Sequence, residues 1–263
     1  MTNTIFNPQL LEGKVAFITG GGSGICLGIA QAFAAHGAKT IITSRNQEKL
    51  NDAAQAITET AQQECLPIAA DVRSEDAIRS AIDQGIERFG KLDIVVNGAA
   101  GNFLAPAAKL SPNGYRTVFE IDALGTYIVS RAAYDAYMKE HGGNILNISA
   151  TLQYVGTNMQ VHAASAKAAV DVQTKTLAVE WGPENIRVNA IAPGPIAGTE
   201  GMDRLAPDGV LEKIKAKNPL GRLGTINEIA NASLFLVSPA ASYVNGEILV
   251  VDGGQWLNAS QLV

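Results

Sequence analysis

Short apolar runs alternate along the chain with longer stretches in which apolar positions recur every three or four residues. The runs at 15–18, 39–44, 65–70, 92–97, 143–149, 186–191 and 247–251 predict seven strands. The stretches between them predict helices, with an apolar face at 27–33 and further helices at 46–60, 74–89, 111–139, 163–181 and 225–237. Asn46 and Ser74 stand where helix caps belong, and Gly90 where a helix ends. Residues 192–219 read as a loop-rich segment with one short helix. Strands separated by helix-length segments form right-handed βαβ units on a parallel sheet. The predicted fold is therefore α/β: a single doubly wound (Rossmann) domain over 1–263, three layers αβα. Its ligand crevice lies at the carboxyl ends of the strands. The polar, glycine-rich segments 19–25, 44–45, 71–73, 97–103, 149–155 and 192–199 all fall at that end.

Composition narrows the function. A chain of 263 residues, 47% hydrophobic and 17% charged, buries a sizeable core and is not disordered. A net charge of −5 without a basic cluster argues against nucleic acid as a partner. The two cysteines, Cys26 and Cys65, lack metal or redox spacing and suit a reducing compartment. Three scattered histidines predict no metal site. No apolar run reaches membrane-spanning length, the first residues lack signal-peptide order, and the last three are not a Ser-Lys-Leu address, so a cytoplasmic location is expected.

Between the first strand and its helix lies Thr19-Gly20-Gly21-Gly22-Ser23-Gly24-Ile25-Cys26. Glycines there let backbone approach a phosphate, and the helix N-terminus offers free N–H groups and a positive dipole end. The spacing Thr-Gly-x-x-x-Gly resembles the fingerprint of the short-chain dehydrogenase/reductase family. Cys26 takes the place of that pattern's third glycine, which leaves the tightness of the helix–strand contact open. Gly20, Gly22, Ser23, Gly24 and Ile25 become cofactor-binding candidates. At the end of the second strand an NAD enzyme of this type places an acid for the ribose 2′-OH. Here the chain reads Thr43-Ser44-Arg45-Asn46. The guanidinium fork of Arg45 suits a 2′-phosphate, and Ser23 adds a hydroxyl, so NADPH is the expected cofactor. Asp71-Val72 resembles the family's adenine-contacting pair. Asn97 and Ala99, where the fourth strand opens into its glycine-rich loop, are expected beside the dinucleotide.

Most members of that family carry Tyr-x-x-x-Lys on the helix after the fifth strand. Here Lys167 fits, but four residues earlier stands Ala163, which has no proton to give. Asp122 replaces the family's asparagine in Asn-x-x-Gly, and Ala150 its serine. With Gly98 to Phe103, Gln160 to Ala163, Leu177 to Pro183 and Ala192 to Gly201, this combination resembles the peroxisomal-type 2,4-dienoyl-CoA reductase branch over about residues 11–257. The resemblance implies that Asp122 and Lys167 are catalytic and hold a water that protonates carbon, with Lys167 also on the cofactor ribose. It implies an acyl-CoA substrate and a 3-enoyl-CoA product. Asn102 and Phe103 are expected to line the acyl site, Arg73 and Arg204 to meet CoA phosphates, and Pro193, Gly194, Ile196 and Thr199 to pass the nicotinamide.

Two other readings stay open at this stage. A 3-oxoacyl or other carbonyl reductase would recruit Tyr154, thirteen residues before Lys167; mitochondrial relatives carry a tyrosine where this chain has Leu152. A protein that binds NADP without catalysing anything would also lack the phenol. The helices 111–139 and 163–181 resemble those that pair subunits in the family's homotetramers.

Overall fold

The computed structural model describes residues 5–205 and 210–258, with backbone alone at 203–205 and 210. Seven strands pair in parallel: β1 (Val15–Thr19), β2 (Lys39–Ser44), β3 (Cys65–Ala69), β4 (Ile94–Asn97), β5 (Gly143–Ile148), β6 (Ile186–Pro193) and β7 (Ile248–Val251). Their order is β3-β2-β1-β4-β5-β6-β7, so the sheet is doubly wound and the chain reverses direction between β1 and β4. Crevices open at such a switch point, beyond the carboxyl ends of the strands.

The two-residue period of the strands divides the core in two. Ile18, Ile42, Val96, Leu146 and Ile191 face one side, against Ile29 and Phe33 of α1 (Gly24–Ala35), Leu50 and Ile57 of α2 (Gln47–Ala61), and Ile229 and Leu234 of α8 (Ile226–Val237). Their neighbours Phe17, Ile41, Val95, Ile145 and Val188 face the other. They meet α3 (Glu75–Phe89), the long helical run α4 (112–141) and α5 (Val161–Trp181) through Ile78, Val129 and Leu177. Side-chain caps from Asn46 and Ser74 start α2 and α3, and Gly90 in the left-handed region ends α3.

Three segments differ from the sequence reading. The α4 run is continuous but holds π-helical turns at Glu120–Leu124 and Tyr134–Met138, each adding a residue that a 3.6-residue period does not reveal. β6 continues to Pro193, because past Ile191 only β7 remains to be paired and a proline is tolerated there. The loop-rich segment holds two helices, α6 (Glu200–Leu205) and α7 (Val210–Lys217).

Cys26 does not loosen the contact of α1 with the sheet. Its thiol is buried, and its sulfur lies 2.0 Å from where a Cβ on Gly98 would stand. The glycine missing from the helix is thus supplied at the end of β4. Gly20 is also constrained: its φ is +71°, and a Cβ there would come within 2.9 Å of the Gly98 carbonyl oxygen. Both cysteines are free. Burial pushes the Cys26 thiol up to about 12, against the opposing charge of Lys167, and Cys65 to about 11. Gly98→Ala should destabilise the protein by about 1–3 kcal/mol, as overpacking does, and Cys26→Gly should recover much of that in the double variant. Urea unfolding of the four proteins checks this; additive losses would show that the two positions do not share one space.

Candidate active site

The crevice at the switch point has a volume of about 280 Å³ and brings together Gly20, Gly22, Ser23, Arg45, Asp71, Val72 and Ala99. Thr19 Oγ1, at the end of β1, accepts hydrogen bonds from the Gly98 and Ala99 amides at 2.9 and 3.1 Å, which fixes the β4 loop against the glycine turn. Gly24 has φ +56° and opens α1, whose first N–H groups face no side-chain cap. A glycine turn of this shape, backbone donors at a helix start and an arginine on the bank fit a dinucleotide phosphate chain. Ile25 packs half-buried against the core. Asn97 is different: its side chain donates to Ser130 and Asn147, both at 2.9 Å, inside the protein. Its Oδ1 is buried there without a partner, and the side chain does not line the crevice.

Arg73 forms a two-pronged pair with Asp71, its Nη2 to Oδ2 at 2.6 Å and its Nε to Oδ1 at 3.0 Å. That hydrogen-bonded cation is the main cause that lowers the Asp71 pKa. The structure therefore joins a predicted cofactor residue to a predicted CoA residue. Arg204 lies in α6, and its side chain falls outside the described residues.

The π-turn of α4 carries Asp122 and α5 carries Lys167, and the two meet at 3.2 Å between Oδ2 and Nζ. Both are almost fully buried, at 1% and 8% exposure. Asp122 Oδ1 accepts from the Gly101 amide at 2.7 Å, and Lys167 donates to the Ile148 carbonyl at 2.9 Å. Ala163, one turn before Lys167, is buried with Val118, Ala123 and Ala166. Among the described residues no tyrosine belongs to that cluster.

Tyr154 turns elsewhere. Its ring packs edge-on to Trp256, with centroids 5.5 Å apart, and its hydroxyl is held un-ionised by burial and by Asp171. Asp171, one turn after Lys167, also accepts from Ser149 at 2.5 Å and Gln153 at 2.6 Å. Beside these groups opens a second cavity of about 530 Å³, lined by Asn102, Leu152, Gln160, Pro193, Gly194 and Trp256 among others. Asn102 donates to Gln160 at 2.8 Å, while its own oxygen is buried without a partner. Phe103 packs against His162 with the rings tilted by 33° and centroids 4.4 Å apart, and stays 40% exposed. Ile196 is buried and accepts at its carbonyl from Thr199 Oγ1 at 2.9 Å. Among the described residues no cluster of His, Cys, Asp or Glu could hold a metal ion, and no helix is long and apolar enough to cross a membrane.

Asp171 and Gln153 were missed by sequence reasoning, and Gln160 entered it only as part of the segment Gln160 to Ala163, without a contact assigned. A residue four after Lys167 shares its helix face, which was the available signal for Asp171. Gln153 gave none, because loop conformation alone aims it.

A sequence model described as Enoyl-(Acyl carrier protein) reductase matches residues 20–255. The chain belongs to the short-chain dehydrogenase/reductase family. This short-chain dehydrogenase/reductase is 52% identical over 254 residues to the rat peroxisomal 2,4-dienoyl-CoA reductase [(3E)-enoyl-CoA-producing], covering 96% of this chain and 87% of that one. It is 44% identical to a probable 2,4-dienoyl-CoA reductase [(2E)-enoyl-CoA-producing] of Bacillus subtilis, covering 94% and 98%. A crystal structure of a short chain dehydrogenase from Bacillus anthracis superposes with a TM-score of 0.84 at 44% identity, covering 93% and 97%. The family implies a nicotinamide cofactor, which the switch-point crevice fits.

The buried pair is the stability-critical part of the site. Lys167→Met should leave the Asp122 carboxylate unpaired in the interior and destabilise the fold by about 3 kcal/mol. Adding Asp122→Asn should recover much of that loss. Denaturant midpoints of the single and double variants decide it; equal losses with and without the second change would show that the two side chains do not compensate each other.

Proposed function

We propose that this short-chain dehydrogenase/reductase reduces 2,4-dienoyl-CoA to 3-enoyl-CoA with NADPH, within the β-oxidation of unsaturated fatty acids. The observation that carries the reading is the Asp122–Lys167 pair facing a helix position, Ala163, that has no acid to offer. Arg45 on the bank of the crevice supports NADPH, since a 2′-phosphate takes a planar fork of donors. Asp71 and Val72 border the same crevice, at the place an adenine would take.

When bound, NADPH supplies a hydride to the far carbon of the conjugated diene. Negative charge then spreads back to the thioester oxygen as a dienolate. Asn102 has one amide hydrogen on Gln160 and one left for that oxygen. The Lys167 ammonium, held by Ile148 and Asp122, stabilises the anion by its fixed charge. A water bound beside the Asp122 carboxylate and Lys167, which touch each other at 3.2 Å, gives a proton to the α-carbon, and the hydroxide left takes one back from the Lys167 ammonium, which solvent recharges. Gly101 keeps the carboxylate from rotating away, so the water is oriented before the charge arrives. Protonation at the α-carbon leaves the remaining double bond at C3, whereas protonation at the γ-carbon would leave it at C2. The position of the water therefore selects the product.

Phe103 and Asn102 border the acyl chain, and Arg73 and Arg204 meet the CoA phosphates. Backbone from Pro193 to Ile196, with Thr199, passes the nicotinamide. Phe119, Leu124 and Tyr127 of α4 and Val172 and Val179 of α5 are exposed, which supports a homotetramer paired through these helices. The two free, buried thiols suit a reducing, cytoplasmic setting.

Oxidation of NADPH on adding 2,4-hexadienoyl-CoA, with 3-enoyl-CoA as product and one solvent deuterium at the α-carbon in D₂O, tests the reading. Oxidation with 3-oxoacyl-CoA instead would favour a carbonyl reductase, and inactivity on both a non-catalytic NADP-binding protein. The proton path is tested separately. Tyr154→Phe should keep most of the activity, since its ring packs on Trp256 and burial, with Asp171, keeps the hydroxyl from giving up its proton; a loss of about a hundredfold, typical of removing a general acid, would make it the proton donor. Asp122→Asn should lower turnover more than NADPH affinity. Lys167→Ala should damage both, and the double variant should lose much less than the product of the single losses.

A further inference from the structure

An ion pair spans the cofactor crevice. Lys49, in the first turn of α2, pairs through Nζ with the carboxylate of Glu200, the first residue of α6. The two side chains come from opposite banks, and both line the crevice together with Ser44, Arg45 and Asn46. The lysine is aimed by its surroundings. Its backbone N–H is bound by the Asn46 side chain at 3.0 Å, and its stem runs over the glycine turn, 3.8 Å from where a Cβ on Gly22 would lie. Arg45 forms no ion pair among the described residues, although its charge reaches Asp71. The crevice therefore holds two cations side by side, one of them answered by a carboxylate from the far bank.

We propose that Lys49 is a second selector of the 2′-phosphate beside Arg45, and that Glu200 is the counter-ion it exchanges for that phosphate. The inference rests on the NADPH reading and deepens it. The physical reason is one of charge. Both partners are about half exposed, at 45% and 53%, so their pair is screened and weak. A phosphate monoester brings close to two negative charges and three acceptor oxygens, and binds an ammonium more strongly than a lone carboxylate does. A cofactor with a plain 2′-hydroxyl offers no such charge and leaves the Lys49–Glu200 pair closed. Only the phosphorylated cofactor unhooks α6 from α2.

The test is the affinity of NADPH and NADH for the intact protein, read by nicotinamide fluorescence without acyl-CoA, with melting temperatures as a folding control. Lys49→Met should weaken NADPH about tenfold, the worth of one charge-assisted hydrogen bond, and leave NADH unchanged. Glu200→Gln should tighten NADPH about two- to fivefold, the worth of an exposed ion pair, again without moving NADH. In the Lys49→Met background the Glu200 change should have no effect on NADPH. Arg45→Met separates this inference from the reading beneath it. An unmutated protein that binds both cofactors equally would overturn the NADPH reading and this proposal together. If the unmutated protein prefers NADPH and Arg45→Met removes that preference, while Lys49→Met shifts both cofactors equally or neither, the proposal alone falls. A Glu200→Gln variant with unchanged NADPH affinity removes the counter-ion role.

Discussion

The buried pair between Asp122 and Lys167 is the constraint on which the rest of the site depends. Two charges withdrawn from water cost more than their attraction returns unless further hydrogen bonds satisfy them. Here each charge has such a bond, from the Gly101 amide to the carboxylate and from the ammonium to the Ile148 carbonyl. The pair thereby ties together four pieces of chain: the loop after β4, the π-turn of α4, α5 and the end of β5. Shifting any one of them would leave a buried charge short of a partner. The π-turn is part of the same solution. It swings Asp122 inward, and carbonyls in that turn are taken up by side chains, Asp122 O by Thr126 and Ala123 O by Gln173 from α5.

One helix carries two opposite charges a turn apart without the two cancelling. Lys167 looks toward α4 and the crevice. Asp171 looks toward the loop after β5, where Ser149 and Gln153 bind its two oxygens. Burial, and after it the same carboxylate, raise the pKa of Tyr154, whose ring packs edge-on to Trp256. Asp171 thus gives a loop that forms one wall of the second cavity a fixed anchor on α5.

Much of this was legible in the sequence, and the limits follow from the same physics. The alternation of apolar runs with helical periods located every strand, because a parallel sheet buried on both faces needs continuous apolar runs. Gly20, Ser23, Arg45 and Asp71 were placed on one crevice because they end successive strands at the switch point. Asp122 and Lys167 were paired by motif spacing. What escaped needed the third dimension. The extra residues in α4 leave the apolar period nearly unchanged. The inward turn of the Asn97 side chain depends on Ser130 and Asn147, 33 and 50 residues away. The compensation of Cys26 by Gly98 links positions 72 residues apart: the sequence shows that a glycine is missing at 26, and only the shared space shows where it is made good.

That last kind of coupling also accounts for the site's chemistry. Ala163 is packed with Ala166 of its own helix and with Val118 and Ala123 of α4, beside Leu152. Small residues at such a crossing let two helices approach closely. With that approach, a short carboxylate on α4 spans the gap to Lys167 at 3.2 Å. Asparagine at 122 would reach as far as aspartate does, so the spacing of the helices sets where the group sits, and its charge is what answers the ammonium. Ala163 leaves the turn before Lys167 apolar and closely packed against α4, so the charge on that face of α5 is balanced from α4.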